Sequence, residues 1–331
     1  MPFAITAAEE LGLPIAVFFT LAAVGFMGCK QFPLWWKKDL HHSKVIDWIP
    51  GVKDIRLKDL PASFQTTNPD DIRFNFILEA AVEVHKASAV VVHTFAALEL
   101  DVLDALSSML PHVYAVGPLQ LLLNQPMGYS LWKEETECLE WLNAKAPNSV
   151  VYVNFGSLAV VTPQQLIEFG WGLANSKLPF FWVIRPNLVV GESVIFPPEF
   201  VAETKEIGLI TGWCPQGQVP NHPSVGGFLT HSGWNTTIES LSAGVPMLCC
   251  PLFGDQRTNC LYTCNEWGID MEISKDAKRD DVEKIVKEMI VGEKGKKMKI
   301  KAMEWKKLAE NATDPHGSSW TNLDNLVNRV L

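Results

Sequence analysis

Between Val225 and Cys250 the chain commits itself to one supersecondary unit. Val225-Gly226-Gly227-Phe228-Leu229-Thr230 is a short run without charge, which suits a strand buried on both faces. His231-Ser232-Gly233 then turns, and Trp234 to Leu241 reads as a helix whose start is rich in capping side chains. Gly244 stops that helix, Pro246 follows, and Met247-Leu248-Cys249-Cys250 reads as the next strand. Strand, helix and strand in this order make a βαβ unit of a parallel sheet. The helix starts where the first strand ends, so its unpaired N–H groups and dipole make a ready phosphate site. His231, Asn235, Thr236 and Thr237 are the donors a diphosphate would meet there. The same features also have a plain reading as caps of an ordinary α/β helix.

The order of residues over the wider stretch Trp213 to Gln256 (WCPQGQVPNHPSVGGFLTHSGWNTTIESLSAGVPMLCCPLFGDQ) is far more specific. It resembles, end to end and without a gap, the signature box of the plant secondary-product glycosyltransferases, which use UDP-sugars. The resemblance implies an α/β protein of GT-B fold, with two Rossmann-like domains, the N-terminal one incomplete. It implies that Trp213 stacks on uracil and that Gln216 lies beside the nucleoside. Glu239 would hold the ribose hydroxyls, and His231, Asn235 and Thr236 the diphosphate. Trp234, Asp255 and Gln256 would face the sugar, a terminal Gln being usual in members that prefer UDP-glucose. Ser232 stands where Cys is usual, and Thr236 where Ser is usual. Both keep a small side chain.

Composition narrows the partners. A net charge of −9 over 331 residues argues against nucleic acid, whose binding needs a basic surface, but not against a nucleotide held by local N–H groups. The seven cysteines, with Cys249-Cys250 inside an apolar run, read as core thiols of a reducing compartment, here the cytoplasm. No Cys/His cluster has zinc spacing, so no metal is expected, and UDP-glucose enters as donor substrate rather than cofactor.

Taken in order, Leu11 to Gly28 carries no charge. It reads either as a barely long enough membrane span or as a buried strand, Ile15 to Phe19, entering a helix with small residues at Ala22, Ala23 and Gly25. The resemblance favours the second reading and puts Thr20 at a donor-sugar contact. Lys30 to His42 is shorter than the corresponding loop of the family. Val45 to Ile72 has the Pro, Gly and Asp spacing of turns, and resembles the branch that glucosylates iridoid aglycones and cyanohydrins. A helix from about Asp71 to Lys86, a buried strand Ala89 to Phe95, a helix Leu98 to Met109 and a strand Val113 to Val116 follow. Leu119 to Asn148 holds Pro126, Gly128 and Pro147 around a helix near Glu134 to Asn143, and reads as a linker. Val150 to Asn154 starts a second alternation of strands and helices, and Ser157 in the next turn matches a family position touching the donor phosphate. The domain limits expected are therefore 1–118 for the acceptor side, 119–148 for the linker and 149–310 for UDP-sugar binding. Residues 311–331 would form a helix that returns to the first domain.

Inverting sugar transfer needs a base for the acceptor proton. The family supplies it as a His near its N-terminus, oriented by an Asp, and both would align upstream of Met1. No catalytic residue is thus assigned. His93 lies on an apolar strand as a satisfied core or crevice histidine, His41 and His42 read as a solvated surface pair, and His85 and His112 show no partner in sequence. His222, beside Pro223, is expected to be structural. Two functions stay open: a UDP-glucosyltransferase acting on a hydroxyl of a small plant metabolite, or a protein that binds UDP-sugar without transferring it, alone or as partner of a full-length paralogue.

Overall fold

A computed structural model describes residues 2–35, 45–61, 68, 70–123, 134–189 and 196–330. The chain forms two compact units, the first of residues 1–124, 253–261 and 307–331, the second of 125–252 and 262–306.

The first unit is built on a parallel sheet of three strands, β1 (Ala16–Phe19), β4 (Ala89–Val92) and β5 (Val113–Ala115), in the order β1-β4-β5. The helices are α1 (Pro2–Leu11), α2 (Ala23–Trp35), α3 (Ile72–Glu83), α4 (Leu100–Met109), the short α5 (Leu119–Leu122) and, late in the chain, α13 (Ser318–Arg329). The uncharged run Leu11 to Gly28 thus divides into a strand and a helix. Ala16 to Phe19 pair in register with Ala89 to Val92, while Ala22, Ala23, Val24, Phe26 and Met27 are buried. Among the described residues no helix is long and apolar enough to cross a membrane.

The start of α2 is capped from a distance. The Glu99 carboxylate accepts from Ala23 N at 2.9 Å and Val24 N at 2.8 Å, meeting donors that the helix itself cannot satisfy. The Val45 to Ile72 stretch, expected as turns, also contains an antiparallel pair of two-residue strands, β2 (Val45–Ile46) and β3 (Ile55–Arg56). On α3, Asp71 caps Phe74 N as a helix start should, yet only Phe74 and Ala81 are buried. Val82 on the same helix is 44% exposed. Helix α13 lies against β5: Ser319 Oγ donates to Gly117 O at 2.6 Å and Asn322 Nδ2 to Ala115 O at 3.0 Å. Leu326 joins Ala89, Val91, Tyr114 and Val116 in one apolar cluster.

The second unit holds a six-stranded parallel sheet in the order β11-β10-β9-β6-β7-β8. Its strands are β6 (Val150–Asn154), β7 (Phe180–Val183), β8 (Gly208–Thr211), β9 (Val225–Thr230), β10 (Met247–Cys249) and β11 (Asp270–Glu272). Every residue of β6, β7, β9 and β10 is buried, as strands covered by helices on both faces require. Its helices are α6 (Glu137–Asn143), α7 (Pro163–Ser176), α8 (Pro198–Thr204), α9 (Trp234–Ala243) and α11 (Arg279–Val291), with most of α10 (Gln256–Asn265) assigned to the first unit and most of α12 (Glu293–Thr313) to the second. Thr162 and Gln165 form a capping box at α7, with Pro163 at its first turn. The buried aromatic set Phe155, Phe169, Phe180, Trp182 and Phe200 packs with Leu166, Leu229 and Leu248 into one core.

The strand order fixes where a ligand can enter. From β6 the chain runs outward through β7 and β8, and then returns to β9 on the other side before continuing to β10 and β11. The chain therefore leaves β6 and β9 in opposite directions across the sheet, and the carboxyl ends of these two strands are where open α/β sheets take their ligands.

Candidate nucleotide site at the carboxyl ends of the second sheet

The turn after β6 carries Gly156 and Ser157, and that after β9 carries His231. These two turns meet. A Cβ placed on Gly156 would lie 2.5 Å from His231 Cε1, and one on Gly233 would lie 2.5 Å from His231 Nε2. Two glycines thus make the slot for one imidazole, and Gly156 is further required because its φ is +72°. Burial and the neighbouring Arg185 push the His231 pKa down to about 4, so the ring is neutral near pH 7 and offers one N–H and one acceptor nitrogen.

Helix α9 starts directly beyond. Ser232 takes a left-handed φ of +64°, Gly233 is the cap residue, and Trp234, Asn235 and Thr236 are the first helical positions. Asn235 is exposed and Thr236 buried. The Trp234 side chain is turned inward: it is 3% exposed, and its ring lies 6.0 Å from that of Trp267. The ring expected to face a sugar is thus a buried one beside Trp267, and its backbone lies in the first turn of α9.

A second group of site residues follows β8. Trp213 is half-buried, and its carbonyl accepts from Glu135 N at 3.2 Å. Gln216 Nε2 donates to Glu239 Oε2 at 2.8 Å, which ties the loop after β8 to the face of α9. Burial raises the Glu239 carboxyl to about 7 against the opposing hydrogen bond from Gln216. Ser157 is exposed in its turn. The second unit accordingly gathers Ser157, Trp213, Gln216, His231, Asn235, Thr236 and Glu239 on loops and a helix start at one end of one sheet.

The other three residues singled out in sequence lie in the first unit. Thr20 is exposed between β1 and α2. Asp255 accepts from Asn259 Nδ2 at 3.0 Å, and burial raises its carboxyl. Gln256 is 3% exposed and its Oε1 accepts from Phe253 N at 2.9 Å. In this state the Gln256 side chain closes its own turn instead of presenting its oxygen outward.

Four described histidines outside this site are engaged. His93 is 6% exposed, and its Nε2 accepts from Leu119 N at 3.2 Å, which places the proton of a neutral ring on Nδ1. His222 lies 2.8 Å from Ser224 Oγ and 3.1 Å from Asn143 Oδ1, a structural tie across its loop. His85 Nδ1 contacts Val82 O, and His112 stacks on Tyr114. His41 and His42 fall outside the described residues.

Arg185, after β7, was not found by sequence reasoning. Its Nε donates to Gly156 O at 2.8 Å and its Nη2 to Ala159 O. A lone Arg after an apolar strand gives no signal of this kind.

A model of the family described as UDP-glucoronosyl and UDP-glucosyl transferase matches residues 71–309. Similar curated proteins include the 7-deoxyloganetin glucosyltransferase of Catharanthus roseus, 55% identical over 99% of this chain and 71% of that protein. Another is the (R)-mandelonitrile beta-glucosyltransferase of Prunus dulcis, 50% identical over 99% and 72%. Among solved structures, UGT2 of Phytolacca americana complexed with UDP-2fluoro-glucose and pterostilbene superposes with a TM-score of 0.87 at 28% identity, covering 99% of this chain and 74% of that one. UDP-glucose: anthocyanidin 3-O-glucosyltransferase in complex with UDP gives 0.88 at 29% identity, over 98% and 72%. With the reversal of strand order in its second sheet and these matches together, the chain belongs to the plant UDP-glycosyltransferases of the UDP-glucoronosyl and UDP-glucosyl transferase family and has their GT-B fold.

Proposed function

We propose that this protein binds UDP-glucose at the carboxyl ends of the second sheet and serves glucose transfer to a hydroxyl of a small plant metabolite, with inversion. The observation that carries the reading is the meeting of the Gly156 turn with His231 at the point where the strand order reverses. There a neutral imidazole, the start of α9 with Asn235 and Thr236, and exposed Ser157 offer donors to a diphosphate. Trp213 supplies a flat apolar surface for the uracil ring, and Glu239 accepts from the ribose hydroxyls. Stabilising the departing UDP in this way favours cleavage of the sugar–phosphate bond, because negative charge grows on the phosphate oxygen as the bond breaks. Thr20, Asp255 and Gln256 are assigned to the sugar by resemblance. The domain roles follow the same reading, donor binding in the second unit and acceptor binding in the first.

The state of three described histidines supports a second element of the proposal, namely that these rings are poorly placed to remove the proton of an aliphatic acceptor. His93 already accepts a backbone N–H, His222 is tied on both nitrogens, and His231 is committed to the donor site. Without a general base the rate of such a transfer is lower by roughly 10² to 10⁴. A phenolic acceptor, partly ionised at mildly alkaline pH, suffers least.

Two measurements test this. Calorimetric titration should show UDP binding that weakens in Trp213→Ala and His231→Ala, and equal binding by the wild type and both folded variants would sink the donor site. Product formation from UDP-glucose should appear first with a phenol and rise with pH. Robust turnover of an aliphatic alcohol would show that a base is at work, with His93→Ala the first variant to examine.

A further inference from the structure

The Gly156 peptide is held from both sides. Its N–H donates to Asn154 Oδ1 at 2.8 Å, and its carbonyl accepts from Arg185 Nε at 2.8 Å. Asn154 is itself fixed, since its Nδ2 donates to Tyr152 Oη at 2.8 Å. Tyr152 Oη in turn lies 3.5 Å from Sγ of Cys214, the neighbour of Trp213. Asn154 is 7% exposed and Tyr152 fully buried, so this polar chain runs through the core from the loop after β8 to the turn after β6. Arg185 extends its second contact to Ala159 O. One guanidinium therefore bridges two carbonyls of one turn, which an ammonium on a flexible stem does not reproduce.

Such a clamp has a reason. Glycine enters the left-handed region without strain but leaves it as easily. In this turn any drift of Gly156 would alter both the slot for His231 and the placement of Ser157. We propose that Asn154 and Arg185 are positioning residues of the diphosphate site, which set the Gly156–Ser157 turn against His231 from its N–H side and its carbonyl side. This rests on the UDP reading above. The positive guanidinium also helps to keep the imidazole neutral.

The test compares affinities for UDP and for uridine, which lacks the phosphates, in Asn154→Ala, Arg185→Gln and Arg185→Lys, with the His231 ring titrated by NMR in each. UDP affinity should fall about tenfold in the first two variants while uridine affinity stays unchanged, a hydrogen bond or two being worth that much. Arg185→Lys, which keeps the charge but not the bridge, should lose part of it. In Arg185→Gln the His231 titration should move up toward its ordinary value. Equal loss of UDP and uridine, or wild-type UDP affinity in folded Asn154→Ala and Arg185→Gln, overturns the proposal. Wild-type behaviour of Arg185→Lys overturns the bridging role of Arg185, because charge alone would then suffice. Should Asn154→Ala fail to fold, the two variants of half-buried Arg185 decide. A wild type that binds neither UDP nor uridine overturns the donor-site reading instead, and the His231 titration in Arg185→Gln still tests the clamp.

Discussion

His93 and His231 each follow a parallel strand, β4 in the first sheet and β9 in the second, yet they are built to opposite ends. His93 is wedged beside Gly117, and its Nε2 is taken by the N–H of Leu119. His231 lies between Gly156 and Gly233, both of which lack the side-chain atom that would displace it. Place on a strand does not make an imidazole a ligand group. What decides is whether the surrounding backbone uses its nitrogens or clears room for them. Buried polar groups without partners are costly, so the first histidine is stable as it stands, while the second, with Nδ1 3.5 Å from Thr230 Oγ1, has no backbone N–H on its Nε2 and would meet the diphosphate there in the proposed complex.

The sharpest way to break this contrast is to fill the two slots. Gly156→Ala puts a methyl group 2.5 Å from the His231 ring at a φ of +72°, and UDP affinity should fall by about tenfold or more. In Gly117→Ala the nearest atoms, His93 Cδ2 and the backbone of Thr94, are at 3.0 Å. That variant should lower the melting temperature and leave UDP affinity alone. A weakening of UDP binding by the second change and not the first would reverse the comparison.

Removing the rings is the next test. His93→Ala strands the Leu119 N–H, and thermal or urea unfolding should register a loss of about 1–3 kcal/mol. His231→Ala should lose UDP binding with little loss of stability, since its ring makes no comparable backbone bond in the ligand-free protein.

The proposed ribose contact adds a pH signature. Burial raises the Glu239 carboxyl to about 7, so in slightly acid solution the free protein holds it largely protonated. The ionised form is the better acceptor for two hydroxyls. UDP affinity measured by calorimetry should therefore strengthen as pH rises through about 7, and this rise should be absent in Glu239→Gln.

The last effect concerns stability alone. Asp270, 3% exposed, accepts from Thr263 Oγ1 at 2.7 Å, and burial raises its pKa from 3.8 to about 7. The folded state keeps a proton that the unfolded chain has lost, so its contribution is full below 3.8 and disappears as pH rises through about 7. His231 works in the other direction, because its value is depressed from 6.5 to about 4: its contribution is full above 6.5 and is lost as pH falls toward 4. Melting curves of Asp270→Asn should show less loss of stability than the wild type as pH rises between about 4 and 7, whereas His231→Ala should remove the opposing trend.

Much of the architecture was legible in the chain itself. Val150 to Asn154 and Val225 to Thr230 are uncharged runs too short for helices, Thr162-Pro163 announces a helix start, and Gly244-Val245-Pro246 ends one. These signals are local: period, cap and breaker act within a few residues. Short strands with mixed composition, such as β8 at Gly208 to Thr211, and the helix α1 carried no comparable mark. The residues around the nucleotide site were named from the ordered match of Trp213 to Gln256, which fixes identities but not environments. Only packing could show that the Trp234 ring is buried against Trp267, that Gln256 folds onto its own turn, and that Gln216 meets Glu239.

By itself, then, the sequence determined the α/β alternation and the parallel character of the second sheet, because each depends on neighbours close in the chain, while the donor expected was implied by the family resemblance of Trp213 to Gln256. The tertiary structure decided which groups are available and what holds them. The Glu99 carboxylate caps a helix 75 residues away, and Arg185 grips a turn 29 residues back. Contacts at such separations leave no period or spacing in the sequence, since they depend on how strands are ordered in a sheet, and strand order is set only when the whole core is packed.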